Sequence, residues 1–373
     1  MNQWSFKTKI YSGIDSLDRL RQIRNERILV ICDPFLKDSD NLNVVLKLME
    51  SHNVISVYSD VIPDPPIGHV VKGIDYAKNL NPSYIIAIGG GSAIDMSKGI
   101  AYFGKLLGGF SIKKFIAIPT TSGTGSEVTS FAVLTDSSTQ IKYPLVTDDI
   151  LPDEAILTPL FVMTSPPSVT AYSGMDVLVH ALEAYVATAA NRFTDALAEQ
   201  AISLVFNYLP LCQKATATMD EKMAMHEASC LAGLSFNNAG LGLVHAMAHQ
   251  LGGQFHIPHG LANSILLPHI LAFNVMRDPA VQDKYAALAV RLGFVSTTET
   301  SKMAQCVRLI EKCVKLAEQL GCPMALSNLN ISSNDVESRL SLMAQRAVQD
   351  MCYQFSPYKA SQEEIQSIYV KVL

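Results

Sequence analysis

Residues Tyr84-Ile85-Ile86-Ala87-Ile88 run straight into Gly89-Gly90-Gly91-Ser92, and then into Ala93-Ile94-Asp95-Met96-Ser97-Lys98. A continuous apolar run suits a strand covered on both faces. Glycines let the backbone turn sharply and let a ligand approach it without a Cβ in the way. The segment that follows reads as a helix start, whose N–H groups and positive dipole end favour an anion. Strand, bare turn and helix together predict one unit of a parallel α/β sheet, with pyrophosphate as the natural ligand. The loop is neither G-x-G-x-x-G nor a Walker loop, so the two commonest nucleotide fingerprints are absent. An ordinary tight turn between strand and helix is the competing reading.

The same alternation extends over the first ~160 residues. Arg27–Cys32, Val54–Tyr58, Tyr84–Ile88 and Lys114–Ile118 read as strands, with helices over Asn41–Ser51 and Ile67–Asn79 between them. The character changes near Thr164-Ser165-Pro166-Pro167. Beyond it, Met175–Ala187, Thr194–Leu209, Glu221–Phe236 and Thr300–Gly321 read as helices rich in Ala, Leu, Met, Glu and Gln. The expectation is an α/β dinucleotide-binding domain over residues 1–164 and an all-helical domain over 165–373. A cleft between them is where cofactor and substrate are expected to meet.

Composition narrows the partners. Of the 373 residues, 49% are hydrophobic and 17% charged, which suits packed cores and not disorder. A net charge of -5 offers no basic field for nucleic acid. The 7 cysteines form no C-x-x-C pair and are odd in number, which points to a reducing compartment rather than a disulfide framework. The N-terminal residues lack the apolar core of a signal peptide, and no stretch reaches the ~20 apolar residues of a membrane span. Cytoplasm is the expected location.

A second loop follows a second apolar strand: Pro119-Thr120-Thr121-Ser122-Gly123-Thr124-Gly125-Ser126-Glu127. Hydroxyls and bare backbone suit a phosphate, a ribose or an amide, although a surface loop has the same composition. Two such loops after two strands of one sheet share an edge, because the C-terminal ends of parallel strands lie together. Asp33 follows the strand Arg27–Cys32. A carboxylate there can accept hydrogen bonds from ribose hydroxyls and repel a 2′-phosphate, favouring NAD over NADP. It reads equally well as a helix N-cap before Pro34.

The helical half carries the metal chemistry. Asp176 and His180 sit four apart, on one helix face. His245, His249, His256 and His259, four of the 9 histidines, crowd together further on. Gly252, Gly253 and Pro258 are expected to break the helix that carries His245 and His249, so that the chain returns with the other two. One carboxylate with several imidazoles suits a borderline divalent ion such as Fe²⁺ or Zn²⁺. A histidine-rich helix and turn at a surface is the bland alternative. Spacing leaves the ligand set open: His245 with His249, or His245 with His259, would serve. No His-Glu-x-x-His motif is present, so a protease reading lacks its general base.

The elements GGGSAID, PTTSGTGSE, GMDVLVHALEAY, GLGLVHAMAHQLGG and HIPHGLANSILLP occur in this order over nearly the whole chain. Together they resemble the iron-containing (group III) alcohol dehydrogenases. The resemblance implies a dehydroquinate synthase-like fold, with an N-terminal Rossmann-type α/β domain and a C-terminal helical domain. It implies a metal, Fe²⁺ or else Zn²⁺, on Asp176, His180, His245 and His259. It leaves His249 unliganded near the nicotinamide as a proton relay. It places NAD against Asp33, Gly90, Gly91, Ser92, Asp95, Thr120, Thr121 and Thr124, with Lys142 nearby. The segment Phe355-Ser356-Pro357-Tyr358 departs from the family's Asn-Pro-Arg-Pro pattern, which leaves the role of the C-terminal tail open.

The activity implied is NAD-linked direct hydride transfer between a small primary alcohol and its aldehyde, with the metal as Lewis acid. The short chain, Ile141–Leu145 and Ala239–Asn263 resemble family members that act in bacterial 1,2-propanediol degradation. That likeness implies reduction of propanal to 1-propanol, with NAD⁺ regenerated. It also implies a microcompartment lumen as location and shell or cargo proteins as partners; a homodimer is the expected assembly. The alternatives are a glycerol or diol dehydrogenase of the same fold and a catalytically silent cargo protein. A 3-dehydroquinate synthase would need more basic residues than Asp176–His269 contains.

Overall fold

The structure is a computed structural model that describes residues 4–137, 141–296 and 298–373, with backbone alone at 141 and 142. Its strands are β1 (Lys9–Ser12), β2 (Arg27–Cys32), β3 (Val54–Tyr58), β4 (Tyr84–Gly89), β5 (Lys114–Pro119), β6 (Phe131–Asp136), β7 (Ile141–Val146) and β8 (Glu154–Leu157). The first helices are α1 (Asp40–Lys47), α2 (Ile67–Leu80), α3 (Gly91–Leu106) and the short α4 (Pro159–Val162). A long helical series follows: α5 (Pro167–Val186), α6 (Arg192–Cys212), α7 (Met219–Ala239), α8 (Leu243–Phe255), α9 (His259–Arg277), α10 (Pro279–Arg291) and α11 (Lys302–Gln319). The chain closes with α12 (Ser333–Glu337), α13 (Leu340–Gln349) and α14 (Gln362–Val370).

Contacts divide the chain into two compact units. Unit 1 comprises Met1–Ser165 and Thr218–Asn237; unit 2 comprises Pro166–Ala217 and Asn238–Leu373. The expected boundary near residue 164 is the first crossing, but two contiguous segments do not describe the chain. Most of α7 belongs with the sheet. Its low amphipathicity in sequence gave no sign of which neighbours it would take.

Unit 1 is built on a six-stranded sheet of order β1-β8-β5-β4-β2-β3, with every neighbouring pair parallel. The four expected strands are present within a residue of their expected ends. Their apolar runs are continuous because both faces are covered. Leu29, Ile31, Ile85, Ala87, Phe115 and Ala117 face one core with Val70, Ile74, Met96 and Ile100 of α2 and α3. Ile28, Val30, Ile86, Ile88, Ile116 and Ile118 alternate with them and face a second core with Leu42 and Val45 of α1. Each fully buried Ile or Leu contributes roughly 1.5–3 kcal/mol. The strands β6 and β7 form a separate antiparallel pair.

After β2 the chain moves outward to β3, then returns to β4 on the other side of β2. The order reverses between β2 and β4. A crevice outside the C-terminal ends of two such strands is where α/β sheets of this kind take ligands. Asp33 directly follows β2, and Gly90 directly follows β4.

Unit 2 is helical. Its core includes Val177, Leu178, Ala181, Leu182, Ala246, Met247, Ile265, Leu266 and Leu309, all fully or almost fully buried. Helix α8 does not break at Gly252 and Gly253, contrary to expectation; it runs through both and stops at Phe255. The break comes at His256, which takes a left-handed φ of 54°, and Pro258 then caps α9. The helix tolerates its glycines, at about 1 kcal/mol each relative to alanine. No described helix is long and apolar enough to cross a membrane.

Candidate metal centre and cofactor loops

In unit 2, α5 presents Asp176, His180 and Glu183 on one buried face, as their spacing of four and three requires. Helix α8 supplies His245, and α9 begins at His259. A cluster forms where these three helices meet: one ligand atom from each of Asp176, His180, His245 and His259 lies within 4.8 Å of all the others. Asp176 Oδ1 is 3.6 Å from Nε2 of both His245 and His259. The rings of His180 and His245 stack at 4.6 Å. Asp176, His180 and His245 are buried, whereas the His259 side chain is 42% exposed, so the cluster opens on that side.

Close approach of α5 and α9 depends on a glycine. A Cβ on Gly260 would lie 2.1 Å from the Tyr172 carbonyl oxygen. Asn263, one turn along α9, is fully buried and donates from Nδ2 to Asp176 Oδ1 at 2.6 Å. The same nitrogen lies 3.1 Å from His245 Nε2 and 3.2 Å from His259 Nε2.

Electrostatics sharpen the picture. Burial works to raise the Asp176 carboxyl, but His180, His259 and His245 outweigh it and hold it well below the ordinary carboxylate range. Burial likewise opposes charge on His245, yet the neighbouring carboxylates of Asp176 and Glu183 push it up to about 9. One anionic oxygen among imidazole nitrogens is the donor set of a borderline divalent cation, without sulfur and with one side open. The residues present therefore fit an iron or zinc ion.

Three partners of this cluster were not foreseen. Glu183 lies 2.6 Å from His245 Nδ1 and accepts the N–H of Gly242, Val244 and His245, which makes it the cap of α8 from a distant helix. Asn263 is the second. Asp350, at the end of α13, is the third: its Oδ2 is 2.8 Å from His249 Nδ1. His249 stacks on His259 at 5.4 Å but stands outside the four-residue group. His256 is exposed and belongs to neither. The C-terminal segment thus has a place in unit 2. It delivers Asp350, and Phe355 packs so close to Gly240 that a Cβ there would lie 2.2 Å from its ring.

In unit 1 the glycine turn, the hydroxyl loop and Asp33 come together. Asp33 Oδ2 accepts the Gly90 N–H at 3.1 Å. Asp33 stands at the N-cap position of the short turn Pro34–Leu36 but makes no side-chain cap there. Burial lifts its carboxyl above the ordinary value, against the Gly90 N–H. A Cβ on Gly91 would lie 2.9 Å from Thr124 Cγ2, and one on Gly90 would lie 3.6 Å from Thr121 Cγ2. Thr120 donates its N–H to the Gly89 carbonyl at 3.0 Å. Gly90, Gly91 and Ser92 are partly exposed at the start of α3, which has no side-chain cap, so an anion can approach those N–H groups.

Asp95 lies deeper. Its oxygens take Ser126 Oγ at 2.6 Å and the Val133 N–H at 3.0 Å, so it fastens the hydroxyl loop and β6 to α3. Lys98 joins it, donating to Ser126, Thr129 and the Phe131 carbonyl. Burial pushes Lys98 down to about 8 and Glu127 up to about 7. The side chain of Lys142 lies outside the described residues.

Known proteins resemble this chain over its whole length. The family descriptions "Iron-containing alcohol dehydrogenase" and "Fe-containing alcohol dehydrogenase family, C-terminal" match residues 7–159 and 170–373. The chain belongs to the iron-containing alcohol dehydrogenase family and is an alcohol oxidoreductase. The 1-propanol dehydrogenase PduQ of Citrobacter freundii is 44% identical over 375 residues, covering 100% of both chains. That of Salmonella typhimurium is also 44% identical, over 373 residues and 100% of both chains. Among solved structures, a 1,3-propanediol oxidoreductase superposes with a TM-score of 0.92 at 30% identity, over 100% of both chains. The expected α/β and helical halves are those of this family's fold.

Proposed function

We propose that this enzyme reduces a short-chain aldehyde, propanal, to 1-propanol with NADH, and that it uses Fe²⁺, or Zn²⁺ in its place, held by Asp176, His180, His245 and His259. The observation that carries the proposal is the convergence of those four side chains to within 4.8 Å, in a chain 44% identical to 1-propanol dehydrogenases. When bound, the ion supplies a Lewis-acid charge at the substrate oxygen, and NADH supplies the hydride.

The chain's own residues do the rest. Glu183 orients His245 and fixes which ring nitrogen faces the cluster. Asp350 holds His249 Nδ1, leaving Nε2 to pass a proton to the product oxygen. Propanal gains a hydride at carbon and a proton at oxygen, so the reaction consumes one NADH and one proton. In unit 1, the first-turn N–H groups of α3 at Gly91 and Ser92 receive the pyrophosphate, with the loop of Thr120, Thr121 and Thr124 beside it. Asp33 takes the adenosine ribose and selects NAD. Asp95 fastens the hydroxyl loop at Ser126 and contacts the cofactor from beside it.

The proposed setting is 1,2-propanediol degradation, in the cytoplasm or the lumen of a bacterial microcompartment, with shell or cargo proteins as neighbours. A homodimer is the proposed assembly. The edge strand β1 exposes Ile10, and Ile14 just beyond it is 75% exposed, which supports coverage by a second copy.

NADH oxidation by apoprotein reloaded with Fe²⁺ or Zn²⁺, against propanal, longer aldehydes and dihydroxyacetone, tests the reading. Turnover on propanal exceeding that on dihydroxyacetone is expected. The reverse order would make the protein a glycerol or diol dehydrogenase. Full turnover by Asp176→Ala at saturating metal would refute the ligand set.

A further inference from the structure

Beside the four-residue cluster, unit 2 holds a second group of metal-ligating side chains. A ring nitrogen of His249, a carboxylate oxygen of Asp350 and Cys352 Sγ lie within 4.8 Å of one another. His249 Nδ1 and Asp350 Oδ2 are 2.8 Å apart. Asp350 Oδ1 accepts the Cys352 N–H at 2.9 Å, which folds the short stretch from Asp350 to Cys352 back so that carboxylate and thiol face the same ring. Cys352 is 8% exposed, while the side chains of His249 and Asp350 are 26% and 15% exposed, so an ion can enter from the histidine side.

We infer that His249, Asp350 and Cys352 form a second divalent-ion site, selective for thiophilic ions such as Zn²⁺, whose occupation inhibits the enzyme. A tetrahedral zinc holds nitrogen, oxygen and sulfur ligands roughly 3.3–3.6 Å apart, so the three side chains need shifts of only about an ångström. On binding, the thiol proton leaves to solvent. A thiolate and a carboxylate then neutralise the dication, which removes the cost of placing its charge in a half-buried site. Sulfur separates the two sites chemically. The Asp176 cluster offers only oxygen and nitrogen, whereas this one adds the soft ligand that zinc, cobalt and cadmium favour.

The inhibition follows from tautomerism. An ion on Nδ1 leaves the ring only the proton on Nε2, and giving that one up to the product oxygen would leave an imidazolate, so the relay stalls. That consequence rests on the proton role proposed for His249; the binding itself does not.

The test uses protein carrying one Fe²⁺ per chain, titrated with Co²⁺ under anaerobic conditions. A sulfur-to-cobalt charge-transfer band saturating at one further equivalent, with iron retained, is the expected result. Cys352→Ala and Cys352→Ser should lack the band. No band in the wild type, or a band persisting in both variants, would overturn the site. Zinc should inhibit wild-type turnover while iron stays bound. Cys352→Ala should keep its basal turnover and need at least about tenfold more zinc for the same inhibition. A band without inhibition would leave the site standing and remove the proton role of His249.

Discussion

His245 Nδ1 sits 2.6 Å from Glu183 Oε2, and the same carboxylate accepts the N–H of His245 at 3.4 Å. One side chain therefore fixes both the ring and the backbone of a candidate ligand. Glu183→Gln keeps the shape but loses the charge and one acceptor. Metal affinity should fall about 10–100-fold, as when hydrogen-bond partners of ligating histidines are lost. Competition dialysis against a chelator measures it. An unchanged affinity would reduce Glu183 to a helix cap.

Asp350→Asn should leave the metal content unchanged and lower kcat by about 10–100-fold, with a smaller effect on KM. The amide can still meet His249, but it cannot stabilise a charged ring. Steady-state kinetics alongside metal analysis decide the matter. A rise confined to KM would place Asp350 in substrate binding instead.

Asp33 has two tasks that one substitution separates from the rest of the site. Asp33→Gly removes the proposed repulsion of a 2′-phosphate and also releases the Gly90 N–H. The preference for NAD over NADP should drop by about tenfold or more. The KM for NAD should rise as the turn loosens. Paired kinetics with both cofactors provide the measurement, and an unaltered ratio would remove Asp33 from cofactor selection.

Gly260→Ala puts a methyl group 2.1 Å from a backbone oxygen of α5. No flexible side chain can yield there, so α9 must move away, carrying His259 and Asn263 from Asp176. A loss of about 1–3 kcal/mol or more is expected, together with weaker metal binding. Denaturant unfolding with and without added metal would show both.

Acid stability should depend on His226. It is 1% exposed, and burial pushes it down to about 4. In the unfolded chain it takes up its proton near 6.5, before the folded protein does. The unfolded state therefore gains as pH falls from about 6.5 to about 4, and stability is lost across that window. The gap corresponds to at most about 3 kcal/mol. His226→Gln should flatten unfolding free energy against pH in that range. An identical slope would assign acid sensitivity elsewhere.

The central strands were legible because burial on both faces writes them as unbroken apolar runs. Lys9–Ser12 and Glu154–Leu157 have only four residues each, and the Ile141–Val146 strand contains a proline, so no such run marks them. At the site, residue types and the spacing of Asp176 and His180 were readable. The choice among His245, His249 and His259 was not, because helical phase places both His245 and His249 on one face of α8. It is the return of α9 that brings His259 to Asp176. Glu183, Asn263 and Asp350 left no sequence signal of their own. A carboxylate or amide in a helix ordinarily reads as solvated, and only distant backbone and ring partners give these three their roles.

The excursion of Thr218–Asn237 into the sheet-bearing unit bears on how this gene can be cut. Ser12, Ser122 and Ser130 each bond to that returning helix, at Glu227, His226 and Asn237. Gly125, at φ 62°, lies so close to Gly233 that a methyl group would fit on neither. A fragment stopping at residue 165 would carry these partners' surfaces bare and should precipitate or bind a supplied peptide covering the missing stretch. Two coexpressed halves split at that point should complement only when the second half docks its Thr218–Asn237 helix against the first.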